Sequence, residues 1–214
     1  MDATIITGLI SCFSAILLGL GEFLLVPGIA NDNRSFPSFS LASSPKYLKR
    51  GYFIFVLTAP FYVLGFWHLY KMLEPGAGIL PLTIVFLAGY SFIIQLAWVS
   101  LRTIISLIVK TQLGPKHLTS LMQGYQFYDK TLLGIMRFIL QVYSVFFIYL
   151  VWQGATNYPI WMIIFNPIVL LTLIFIVYMI LPSIGKYLMP ISVHIANAIF
   201  FALSTYLAFR LKFK

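Results

Sequence analysis

Charge is what this sequence lacks. Only 9% of its 214 residues are Asp, Glu, Lys or Arg, and just five are acidic. A soluble domain carries about a quarter charged residues, so a soluble globular enzyme is excluded by composition. Disorder is excluded as well, because a chain that is 61% hydrophobic buries itself wherever it can. Cysteine occurs once, as Cys12 inside an apolar run, which leaves no disulfide framework and no Cys-rich metal site. Histidine occurs three times, and the positions His68, His117 and His194 do not share a membrane depth. An intramembrane metal centre needs several such ligands at one level, so no metal is expected. No Gly-X-Ser-X-Gly elbow, phosphate-binding loop or dinucleotide fingerprint is present, and no lysine sits mid-span where a Schiff base would form. No cofactor is expected.

What the chain has instead is long apolar runs. A helix needs about 20 apolar residues to cross a hydrocarbon core. Six stretches qualify, at 4–26, 51–73, 81–109, 131–152, 160–180 and 190–209. Period-two alternation is absent, which excludes a membrane barrel and leaves helices as the way to satisfy the backbone. The expected fold is therefore all-α, one polytopic transmembrane bundle over 1–214 with six spanning helices and no soluble domain. The 110–130 connection reads as a loop with a short interfacial helix near 118–127. Met1-Asp2 places no basic region before the first run, so that run is expected to stay as a helix rather than be removed as a leader.

The net charge of +9 comes mostly from Lys and Arg beside apolar spans, which is the pattern of membrane topology and not of nucleic-acid binding. The connections 27–50 and 110–130 collect half of them, including Arg34, Lys46, Lys49, Arg50, Lys110 and Lys130. The positive-inside rule puts that face in the cytoplasm and both termini outside. The basic tail from Arg210 to Lys214 pulls the other way. The expected setting is the cell membrane, with the lipid bilayer as the main partner.

Ionisable and polar groups within spans are costly, so their positions are the best pointers to function. The first helix carries small residues at Gly8, Ser11, Ala15 and Gly19, and Glu22 continues that face. A small-residue face lets helices approach closely, which aims Glu22 into the bundle. The third helix shows Ala88, Ser91, Gln95, Trp98 and Arg102 at helical spacing, and the fourth shows Gly134, Arg137, Gln141 and Ser144. The last has His194, Asn197, Phe201 and Ser204. Counting residues from the basic face puts Glu22, Arg102, Arg137, His194 and Asn197 in one candidate ligand-binding layer, with net positive charge that suits an anionic or lipid-like ligand. His68, Asn157 and Asn166 form a second polar zone towards the opposite face. Each stripe also has a plainer explanation, since Ser, Gln and Asn bind helices together and arginines snorkel to phosphate.

The chain resembles a family of uncharacterised bacterial six-helix integral membrane proteins, known as a domain of unknown function. The likeness rests on Gly21-Glu22, Gly65-Phe66-Trp67-His68, Thr156-Asn157-Tyr158-Pro159-Ile160-Trp161, Asn166-Pro167, and the ending from Leu181-Pro182 to Asn197-Ala198-Ile199-Phe200-Phe201-Ala202. The family pattern more often has Asp at Glu22 and a His near Ala97, where this chain has none. The resemblance implies the fold and no established activity. Three functions remain open on these residues. One is binding or passage of an anionic or lipid-like ligand through the polar layer. Another is a membrane-embedded hydrolase or transferase with Glu22 or His194 as base and Arg102 and Arg137 on a phosphate. The last is a structural subunit whose polar stripes only join helices.

Overall fold

The computed structural model describes residues 2–25, 44–75, 78–109 and 115–212. Arg34, Lys110 and Lys214, three of the residues counted for topology, lie outside them. Among the described residues there are seven α-helices and no strand. They are α1 (Ala3–Leu25), α2 (Pro45–Leu73), α3 (Leu80–Val109), α4 (Pro115–Trp152), α5 (Pro167–Ile180), α6 (Pro182–Leu188) and α7 (Ser192–Lys212). Two 3-10 segments, Ile160–Phe165 and Met189–Ile191, precede α5 and α7.

Proline sets where these helices begin. Pro45, Pro115, Pro167 and Pro182 each open a helix, since a first-turn residue has no use for its N–H and the ring fixes the helical φ. Ser44 caps α2 by accepting from the Tyr47 N–H. The second helix therefore starts at 45 rather than 51. The fourth starts at 115 rather than 131, so residues 115–130, expected to be a loop with a short helix, are the opening part of a 38-residue helix. Such a helix is about 57 Å long and outreaches any bilayer.

The expectation of six spanning helices is corrected at the fifth. Five helices are long and apolar enough to cross a membrane, which makes this a multi-pass architecture by length and composition. The stretch 160–180 is instead broken at Asn166, whose ψ of 138° leaves the helical region, and only the 14 residues of α5 are α-helical. At 1.5 Å per residue that is about 21 Å, short of the roughly 30 Å hydrocarbon core. The proline that follows makes the break, because it disfavours a helical conformation at the residue before it. The connection expected at 181–189 is likewise the helix α6.

The helices form a ring. α1 packs on α2 and α7, α2 on α3, and α3 on α4; α5 joins α6 and α7 and closes the ring against α4 with the sparsest contact. The outward faces are strongly apolar, with Phe13, Leu57, Phe86, Phe138 and Ile180 more than half exposed, as a lipid-facing surface requires.

Glycine holds the tightest seam. A Cβ on Gly21 would stand 2.9 Å from the Gly51 carbonyl oxygen, and one on Gly51 would stand 2.6 Å from the Gly21 carbonyl oxygen. Backbone meets backbone there, so neither side can yield. Gly51→Val should therefore lower stability by about 1–3 kcal/mol, the usual range for overpacking. Gly134→Ala, at a position with open space around it, should leave stability unchanged or raised. Thermal unfolding in a mild detergent separates the two.

Candidate functional site: a polar-to-aromatic cavity inside the ring

The ring encloses a cavity of about 740 Å³ to which all the long helices contribute. Its polarity follows from the register of α3 on α4. Ile105 packs on Met122 and Tyr125, Trp98 reaches Asp129, and Ile94 packs on Met136 and Ile139. The two helices are thus antiparallel, and position along one can be read against the other.

The outermost rung is a charge cluster. Asp129 Oδ1 accepts from Trp98 Nε1 at 2.9 Å and from the Tyr125 hydroxyl at 2.7 Å, and Arg102 Nε stands 3.8 Å away. The Arg102 guanidinium also lies over the Trp98 ring at 4.3 Å, a cation–π contact. Tyr125 and Asp129, like Trp98 and Arg102, are one helical turn apart, so two i,i+4 pairs meet face to face.

The next rung joins α1, α3 and α7. Glu22 Oε2 is 2.9 Å from His194 Nε2, and Gln95 Nε2 is 3.3 Å from the same ring nitrogen. Both partners of the pair are almost wholly buried. Gly19 makes the approach possible, because a Cβ there would lie 3.2 Å from that of His194. His194 Nδ1 is buried without a hydrogen-bond partner.

Arg137 stands deeper. It lies eight residues beyond Asp129 on α4, about 12 Å further in. It lines the cavity with Asn197 and Ser91, and has no ion-pair or hydrogen-bond partner among the described residues. Beyond it the walls turn aromatic. Tyr62 stacks near Phe92 at 4.7 Å and meets Phe201 edge-on at 5.8 Å, with Phe66, Phe147 and Phe200 around them. One end of the cavity is polar and charged, the other apolar.

The structure thus distributes the five residues expected in one layer over three rungs. It brings Glu22 to His194, and Glu22, Arg102, Arg137 and Asn197 to the cavity wall. Arg102 has Asp129 as a counter-charge. Asp129 was missed, having been assigned to a loop. The signal was the Tyr125–Asp129 spacing, which becomes legible only once 115–152 is read as one helix. Gln95 was seen as part of a stripe and not as a partner for His194.

The second polar zone resolves into separate roles. His68 Nδ1 is 2.7 Å from the Thr4 carbonyl, His68 Nε2 is 2.6 Å from Ser204 Oγ, and Ser204 Oγ is 2.7 Å from the Tyr158 hydroxyl. A carbonyl only accepts, so with a neutral ring Nδ1 carries the proton, Ser204 donates to Nε2, and Tyr158 donates to Ser204. Burial pushes the Tyr158 phenol above its ordinary pKa, which keeps it a donor. Asn157 instead closes the end of α2, donating from its backbone to Met72 and from its side chain to Lys71. Asn166 caps α5 through Ile168 and donates to the Ser144 carbonyl. Among the described residues no group of three His, Cys, Asp or Glu could hold a metal.

An all-helical ring of apolar helices around a charged-to-aromatic cavity defines a multi-pass membrane architecture and not a particular chemistry. The chain belongs to the family of unknown function DUF6796, which it matches over residues 1–210. Neither a curated protein nor a solved structure matches it.

Removing Asp129 would strand the Trp98 N–H, the Tyr125 hydroxyl and the Arg102 charge together. Asp129→Ala should lower stability by about 2–3 kcal/mol, measured by thermal unfolding in detergent. Glu74→Gln, which removes only an exposed partner of Lys71, should leave the melting temperature unmoved.

Proposed function

We propose that this protein of the cell membrane binds a lipid-like amphiphile with an anionic head, which enters its cavity sideways from the bilayer. The observation that carries this reading is Arg137. A guanidinium midway along a helix long enough to span costs several kcal/mol in hydrocarbon unless it is paired or reaches water, and no described residue is paired with Arg137. An anionic head on Arg137, helped by Asn197 and Ser91, would supply it, and the aromatic end would receive the chain. The cavity volume lies within the usual range for small-molecule sites, about 300–1,000 Å³.

The sideways route is supported by the ring's weakest joint. Arg137 and Gln141 of α4 and Thr172 and Phe175 of α5 line the cavity and are nevertheless exposed, so the wall between these helices is open. We infer further that the broken stretch 160–180 is a sixth crossing. Tyr158 before it lies with Thr4 and Ser204 at one end of the bundle, and His194 after it lies with Glu22 at the other. With loop charges deciding orientation, the Glu22 end faces the cytoplasm.

Native mass spectrometry of the protein released from a neutral detergent tests the binding. Wild type should carry adducts in the mass range of anionic lipids, and Arg137→Gln should lose at least about tenfold of that occupancy, the effect of one charge-assisted contact. A wild type that neither carries nor takes up anionic amphiphiles, or an Arg137→Gln protein that keeps them, would overturn the reading.

A further inference from the structure

The Glu22–His194 pair has no place in holding a lipid chain, and a helix seam does not need it. It is a carboxylate and an imidazole in contact at 2.9 Å, with Glu22 on the cavity wall and the other imidazole nitrogen buried without a partner. In neither ionisation state are all its atoms satisfied. A neutral imidazole donating from Nε2 to the carboxylate leaves Nδ1 as a bare acceptor, and a protonated one leaves Nδ1 as a bare donor. The two states are therefore matched in hydrogen bonds, and the surrounding charge decides between them.

The surrounding charge can be counted. On α3 and α4 Arg102 and Asp129 cancel, and Arg137 adds one positive charge. Gln95, the nearest group of α3, is neutral. α2 presents Tyr62 to the cavity and pairs Tyr52 with Ser100 of α3, while its Lys46, Lys49 and Arg50 are exposed. α5 carries Tyr178 as its ionisable group, and α6 carries Tyr187 and Lys186, whose ammonium lies 5.1 Å from the Tyr187 ring. With one negative charge on the pair, the cavity lining sums to zero.

We propose that the Glu22–His194 pair is a proton-binding site coupled to the anion site, so that one proton enters from water as one anionic head settles on Arg137. An anion added to a neutral, low-dielectric cavity leaves it one charge negative, and a proton on the pair restores neutrality. The coupling is reciprocal, so acid should tighten anion binding and the anion should hold the proton. This rests on the amphiphile-binding reading above. It makes the protein a proton-linked binder of anions rather than a passive one.

The probe is a fluorescently tagged lysophosphatidylglycerol, whose single phosphodiester charge does not change between pH 5.5 and 8, with the tagged monoacylglycerol as its neutral counterpart. Wild-type affinity for the anionic probe should fall by up to about tenfold per pH unit as pH rises, the limit for one linked proton. The neutral probe should bind equally at both pH values. Glu22→Gln, which removes the negative charge permanently, should bind at pH 8 as tightly as wild type binds at pH 5.5, without pH dependence. Should that variant fail to fold, calorimetry on wild type in two buffers of different protonation enthalpy reads the same quantity, and uptake of about one proton per probe is expected. Binding of the anionic probe with equal affinity at both pH values and no proton uptake overturns the coupling and leaves the amphiphile site standing. Absence of binding at either pH overturns the amphiphile site and the coupling with it.

Discussion

A charge or a bare backbone group inside hydrocarbon must find its partner within the protein, because no water is there to stand in. That constraint explains most of this molecule. The backbone is spent on helices, the helices are apolar outside, and the polar side chains that remain are matched across helix seams. Asp129 answers Arg102, Glu22 answers His194, and Ser204 answers His68. The first joins consecutive helices, and the other two tie α1 and α2 to α7, far away in sequence. The polar groups of the interior therefore do more than decorate the cavity; they fix which helices are neighbours and at what height.

The same accounting makes the departures informative. Where a proline removes a backbone donor, the neighbouring residue repairs the end, as Ser44 does before α2 and Asn166 before α5. Where two helices approach to backbone contact, both contribute glycine, as at Gly21 and Gly51. Arg137 is the departure with no repair among the described residues, which is why the functional reading turns on it.

Much of the fold was legible because hydrophobic run length and composition are direct consequences of the solvent. The small-residue face of α1 is buried at Gly8, Ser11, Ala15, Gly19 and Glu22, as its spacing requires. Helix ends were less legible. Hydropathy marks where a chain is apolar, whereas Ser44-Pro45 and Pro115 mark where a helix begins, and α4 runs well past its apolar part. That error hid Asp129, and with it the partner of Arg102. Depth counted along single helices put four charged or titratable side chains in one layer. Only the register of α3 against α4 reveals that Asp129, and not Arg137, stands level with Arg102, and register depends on side-chain packing between helices that no single helix encodes.

The chain of contacts from Tyr158 through Ser204 and His68 to Thr4 has a consequence for how the protein is made. Ribosomes deliver these residues in order, so Thr4 and His68 are both made before Ser204 exists. Until α7 inserts, the imidazole of His68 lacks its Ser204 partner and the seam of α1 and α2 is incomplete. Arrival of α7 supplies the hydroxyl that both His68 and Tyr158 await. The hydrogen-bond network thereby acts as a latch that closes once α7 is in place, joining the first turn of α1 to it.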